Sequence, residues 1–396
     1  LNTVPGQTLI ALSFNLVSLL AGGLMSIFTP LFTEAPWILA LFPPILTVRG
    51  GIGGIFSGNL ATMLHLGMVK TNLRENTEEF WSLIRSVLVI TAIDAFILGA
   101  LSFGLNLLTG NAVPSQLFLF LLVPMVACMS AVSLSIPLTS IIAVETNKRG
   151  LDPDILVNPI LASANDIIVT LFFVLTVFSV LWGGAAFMVL VSVFVLMICG
   201  VGYLAWMSRE DRFFHQTLRE GTIVIVVSSL FGSINGVFLS NLQGSLSSKP
   251  GLIVMYPALT NALGNVGSIL GSKTTTALAL GYARSFREEL AESGRSILYV
   301  EAPAALMHVV FAVTSWLIAG PGTPGASLGF LLTVALFTNV TSFLFIALFS
   351  LLFAHLSFQR GLNPDNVVIP AITSVSDSTA TLAVSPAIIV AGLLGL

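Results

Sequence analysis

Two carboxylates, Asp166 in PILASANDIIVTLFFV and Asp377 in PAITSVSDSTATLAV, lie inside long apolar stretches. A charged side chain at mid-bilayer depth costs about 2.5–3.5 kcal/mol on insertion scales, so such residues are rare and generally functional. Helical spacing sets Ser163, Asp166 and Thr170 on one face at i, i+3 and i+7, and Ser374, Asp377 and Thr381 repeat the pattern. Asn165 and Ser376 flank the acids. A polar stripe of this kind faces protein or water rather than lipid. Two bare carboxylates brought together repel, and one keeps a proton at neutral pH. A divalent cation between them removes that conflict. Oxygen ligands without nearby His or Cys suit magnesium or calcium better than zinc or copper. Magnesium sheds water reluctantly, so a few carboxylates among hydroxyls fit a partly hydrated ion. The competing structural reading has each aspartate hydrogen-bonded to a neighbouring helix.

The elements that carry these residues are membrane spans. The chain has 396 residues, 56% hydrophobic and 8% charged, with a mean hydropathy of +1.00. Soluble domains run at about 25% charged, so the composition is that of an integral membrane protein. A span needs about 20 apolar residues. On that criterion eleven helices are predicted, near 8–31, 36–68, 82–109, 115–145, 155–182, 184–207, 222–246, 251–282, 296–319, 326–356 and 365–394. The fold class is all-α and polytopic. The first apolar run is too long for a cleaved signal peptide.

Lys70, Arg74, Arg85, Lys148, Arg149, Arg209, Arg212, Arg219, Arg284, Arg287, Arg295 and Arg360 all fall in one set of alternate loops; only Lys249 falls in the other. This asymmetry predicts a cytoplasmic N-terminus and an outer C-terminus. Arg49 and Lys273 lie inside or at the edge of helices. The net charge of −3, with no basic patch, offers nothing to nucleic acid. Cys128 and Cys199, both in apolar helices, read as small core residues.

An internal repeat organises the chain. RGGIGGIFSGNLATMLHLG (49–67) aligns without gaps to LGNVGSILGSKTTTALALG (263–281) at an offset of 214; GLDPDILVNPILASAND (150–166) aligns to GLNPDNVVIPAITSVSD (361–377) at an offset of 211. Residues 1–183 form one five-helix repeat and 221–396 the other, with 184–220 a linking helix and cytoplasmic loop. Five is odd, so the linking helix restores the orientation and the two copies run parallel. The arrangement is a fused pseudo-dimer, able to act as a monomer, with Asp166 and Asp377 expected to face one another across its axis.

Gly50 and Gly264 open glycine-rich segments that either break the helix to expose carbonyls or permit close helix packing. Asn59 and Asn265 are polar at that level, with Lys273 at the place matching Asn59. Asp94 in VLVITAIDAFILG is a third buried acid, matched by Ala304 in the other copy, and is a candidate either for a coupling ion or for a structural role. Glu301, Glu145, His65 and His355 read as residues of helix ends, and His308 as a core residue.

On the duplicated glycine segments and the two aspartate segments, the chain resembles the MgtE magnesium channel and transporter family. The likeness is greatest to its solute carrier family 41 branch, which fuses two MgtE membrane units. It covers essentially the whole chain. It implies a cation path between the repeats, lined by their second and fifth helices. The essential fifth-helix aspartate falls on Asp166 and Asp377, and the carbonyls of Ala162 and Thr373 one turn earlier are further contacts to a hydrated ion. No paired CBS sensor accompanies these units, so MgtE gating does not carry over. Transport of Mg2+ is the function implied, with sodium-coupled magnesium export as the rival. An intramembrane aspartyl protease is a remote rival, since neither aspartate has a Gly-x-Gly-Asp or Tyr-Asp setting.

Overall fold

The computed structural model describes residues 4–32, 34–70, 72–73, 75–148, 153–279, 294–321, 327–361 and 364–396. Among them no strand occurs, and eleven helices are long and apolar enough to cross a membrane. The protein is an integral membrane protein of all-α class. Its helices are α1 (Val4–Ser13), α2 (Ser18–Ser26), α3 (Trp37–His65), α4 (Glu78–Leu108), α5 (Leu117–Lys148), α6 (Pro153–Trp182), α7 (Gly184–Met207), α8 (Arg212–Asn241), α9 (Gln243–Ser248), α10 (Pro250–Ala279), α11 (Gly294–Ala319), α12 (Leu328–Gln359) and α13 (Pro364–Leu393).

The boundaries follow local chemistry. Thr77 Oγ1 accepts from the Phe80 amide and Ser327 Oγ from the Phe330 amide, capping α4 and α12. The α6–α7 turn is made by Gly183 and Gly184 at φ 66° and 52°, a left-handed geometry open to glycine. Two sequence-derived bounds shift. The first span is interrupted by a 3-10 turn at Phe14–Leu16 and ends at Ser26. The seventh span, α8, starts at Arg212 rather than 222, because Asp211 caps its N-terminus through the Phe214 amide and carries the polar RFFHQTLREG turns into the helix.

The chain forms two compact units, residues 37–237 and residues 1–36 with 238–396. These divide the chain differently from the sequence repeats, since the first helix of each repeat belongs to the unit built on the other repeat. In the 37–237 unit, α3 packs on α4, α5 and α6, and α8 lies on α3. A Cβ at Gly236 of α8 would overlap the Ala40 carbonyl, the oxygen whose helical donor Pro44 lacks. In the other unit, α10 packs on α2, α11, α12 and α13, and a Cβ at Gly22 would overlap the Val254 carbonyl. Gly22 matches Gly236, and Ala40 matches Val254, at the same offset of 214. The helix exchange therefore recurs in both units on the same glycine.

α7 is the outlier. It is hydrophobic around its circumference and only 11% of its most apolar window is buried. Its Cys199 is exposed, correcting the expectation of a core cysteine, whereas Cys128 is buried as expected.

Candidate functional site

Asp166 sits mid-way along α6 and is 1% exposed. α3 supplies its partner. The Arg49 Nη2 lies 2.6 Å from Asp166 Oδ1, and Arg49 Nη1 donates to the Ala162 carbonyl at 2.7 Å. Arg49 is itself only 11% exposed, so this is a buried, charge-assisted pair. Ser163 and Thr170, a turn to either side, are buried on the same face. Asn165 points toward α5, where Ser135 Oγ donates to its Oδ1 at 2.7 Å. Gly53 of α3 lies against the Asn165 amide, so a Cβ there would sit 3.6 Å from Nδ2. Asn59 turns its amide back to the Ile55 carbonyl of its own helix at 2.7 Å.

The α13 face of the other unit reproduces the stripe with different neighbours. Ser374, Ser376 and Thr381 are buried and Asp377 is half-buried. The Thr381 hydroxyl donates to the Asp377 carbonyl oxygen at 2.6 Å and shares a 2.8 Å hydrogen bond with the Tyr256 hydroxyl of α10. Gly264 lies against Thr373, Gly267 against Ile372 and Ser376, and Gly271 against Ile372 and Val368. α3 and α10 both run unbroken through their glycine segments. Close packing accounts for Gly267 and Gly271, where a Cβ would overlap Ile372, whereas at Gly53 and Gly264 it would meet only ordinary contact; the helix-break alternative does not apply. Asn265 donates to Asn15 Oδ1 at 2.9 Å, and Asn261 to Ser18 Oγ at 2.9 Å, which fastens the exchanged N-terminal helix to α10.

Asp94 is fully buried in α4 and accepts a short hydrogen bond from Ser229 of α8. Ser102 and Ser233 hydrogen-bond at 2.9 Å further along the same helix pair, two turns on in α4 and one in α8. Ser229 occupies the repeat position of Asn15, so one of the polar contacts that hold the exchanged helix recurs at the same position in each unit. Glu301, expected at a helix end, lies two turns inside α11 and accepts from the fully buried Asn339 at 2.6 Å. His308 is buried, with its Nδ1 2.7 Å from the Ala304 carbonyl. The Lys273 side chain, residues 150–152 and 362–363 of the aspartate motifs, and the loop arginines 284 and 287 fall outside the described residues.

Sequence reasoning did not connect Arg49 to Asp166. The usable signal was an arginine within an apolar helix, as costly there as the aspartate itself. Nor did it find Tyr256, which stands where the first repeat has Phe42.

Residues 42–176 and 256–385 match the MgtE family, described as a divalent cation transporter. Mouse solute carrier family 41 member 3 is 23% identical over 394 residues, covering 91% of this chain and 77% of that protein. Human solute carrier family 41 member 2 is 22% identical over 386 residues, covering 89% of this chain and 64% of that protein. No solved structure matches the chain. The family is one of transporters and not of enzymes, which removes the peptidase alternative. With both family segments placed on the helices that carry the duplicated acids, the chain belongs to the MgtE family of divalent cation transporters.

Proposed function

We propose that the protein carries Mg2+ in preference to other divalent ions, and that Asp166 and Asp377 both act on the ion as it passes. The observation that carries this reading is the duplicated stripe. Ser163, Asp166 and Thr170 recur as Ser374, Asp377 and Thr381, and all four hydroxyls are buried against protein in their own unit. Hydroxyls kept from lipid on both copies, each beside an acid, suit a hydrated hard cation better than two unrelated structural aspartates. The Ala162 and Thr373 carbonyls one turn earlier add neutral oxygens. The one-sided distribution of basic loops supports a cytoplasmic N-terminus. Inward flow then gains about 4.6 kcal/mol per dication at 100 mV, twice the single-charge value.

The test is magnesium-dependent thermal stabilisation of the full chain in detergent, followed by uptake competition among Mg2+, Ca2+, Mn2+ and Co2+. Asp377→Ala and Asp166→Asn should each abolish or strongly weaken the stabilisation. Undiminished stabilisation in both variants would move the site elsewhere. Uptake that demands an opposed Na+ gradient would replace passive conduction with sodium-coupled exchange.

A further inference from the structure

We propose that Arg49 is a resident counter-cation, holding the oxygens of the first half-site until a dication displaces it and thereby setting the concentration at which the ion binds. The inference rests on the reading of Asp166 as an ion ligand. Its guanidinium contacts one charged and one neutral oxygen, Asp166 Oδ1 at 2.6 Å and the Ala162 carbonyl at 2.7 Å. Those are the two oxygens that the first repeat would offer to an ion. The two terminal nitrogens of one planar guanidinium reach both, Nη1 by a hydrogen bond to the carbonyl and Nη2 by an ion pair with the carboxylate. They do so without the water shell that a magnesium ion keeps.

Arginine does not deprotonate in proteins, so Arg49 cannot leave this position by losing its charge. It leaves by exchange. With Arg49 in place, a dication added at Asp166 would leave a local charge of +2; without Arg49 the sum would be +1. The incoming ion therefore competes for oxygens and also meets a like charge. The side chain borders free space within its own unit. It lines a cavity among α3, α4, α5 and α6 together with Gly53, Thr91, Cys128, Ser135 and Asn165.

The repeat makes the device one-sided. The position matching Arg49 is Leu263, fully buried against Ile346 and Ala380 in the other unit. A residue kept only to hold helices together would have no reason to reach the carboxylate and the carbonyl of the ion stripe together. Arg49 does so from one copy alone.

The experiment is a Mg2+ titration of the full chain in detergent, read as thermal stability. Arg49→Leu should bring half-maximal stabilisation to about tenfold lower Mg2+, within the ~5–150-fold range by which coupled binding events act on one another. Arg49→Lys, which keeps the charge, should shift it much less. In the Asp166→Asn background, Arg49→Leu should bring no gain in affinity. Should Arg49→Leu fail to fold without Mg2+, Arg49→Gln removes the charge while keeping hydrogen-bonding capacity, and the same shift is expected there. An unchanged or higher midpoint in the neutral variants, with the parent protein still stabilised by Mg2+, overturns the inference and leaves the proposed function standing. No response in the parent or in any Arg49 variant removes the underlying reading of the site.

Discussion

Asp166→Asn strands the Arg49 charge inside its unit. At 2.6 Å the attraction between the two groups is about 6 kcal/mol for an effective dielectric near 20. Moving both ions out of water costs several kcal/mol each, so the intact pair adds little net stability. Removing a single partner differs, because the desolvation of the survivor is no longer offset, and such losses run to about 3–5 kcal/mol. Arg49 is 11% exposed and cannot regain water without repacking α3 against α6. Asp166→Asn should therefore lower stability by about 3–5 kcal/mol. Arg49→Leu should cost less, since an orphaned carboxyl can take up a proton. The double variant Arg49→Leu/Asp166→Asn should be more stable than Asp166→Asn alone, giving a coupling of about 3 kcal/mol in the cycle. The assay is denaturant unfolding in micelles at neutral pH with divalent ions chelated. Additive single losses, within about 0.5 kcal/mol, would refute the pairing argument.

The exchanged helices give a second expectation. Gly22→Ala and Gly236→Ala each press a methyl onto a backbone carbonyl that cannot rotate away, and each should destabilise by about 1–3 kcal/mol. Gly200→Ala on α7 meets open space and should be neutral or gain up to about 1 kcal/mol; equal effects at the three sites would dissolve the packing account. At the α8 N-terminus, burial alone would raise the Asp211 carboxyl. The nearby Ser82 hydroxyl, hydrogen bonds from the Phe214 amide and Arg85, and the Arg85 charge instead hold it below its ordinary value. A depressed folded value means stabilisation that is complete above the unfolded value of ~3.9 and lost as pH falls through the lower folded value. Asp211→Asn should remove that acid-side slope, worth about 1 kcal/mol for a partly exposed pair, in a pH series of unfolding curves. Asp94→Asn keeps a partner for Ser229 and should stay within about 1 kcal/mol of the parent, whereas Asp94→Leu leaves that hydroxyl unpaired and should cost about 1–3 kcal/mol. Transport retained in a well-folded Asp94→Asn protein would assign the residue to structure rather than to ion coupling.

The fold was legible where a single helix carries its own evidence. Apolar length alone marks the spans, and the repeat shows wherever a motif is dense, as in the glycine segments of α3 and α10 or the aspartate segments of α6 and α13. The exchange of α2 and α8 was not legible. Over those helices the resemblance between copies thins to a few small or polar positions, Gly22 with Gly236 and Asn15 with Ser229. A glycine says that something comes close without saying which helix it is. The same limit explains Glu301. Its distance from the start of α11 suggested a helix end, while its environment depends on Asn339, 38 residues away on α12.

Arg49 shows where one-dimensional reasoning stops. Arg49 lies twelve residues from the Trp37 end of α3, about 18 Å along the helix, and Asp166 lies sixteen residues from the Trp182 end of α6, about 24 Å. An arginine side chain spans the difference, so depth alone permits the pair. Depth equally permits Asp94, fourteen residues from the Leu108 end of α4, or about 21 Å. A charge inside an apolar helix requires a partner, and this chain offers its arginine two acids at reachable height. The choice is made by which faces of α3, α4 and α6 meet. α8 bears on the choice through Ser229, which donates to one oxygen of Asp94 while Arg49 reaches Asp166. A Ser229→Ala variant, with Asp94 deprived of its hydroxyl partner, should therefore weaken the coupling measured between Arg49 and Asp166 if the arginine samples both acids, and should leave it unchanged if the α3–α6 packing alone fixes the pair.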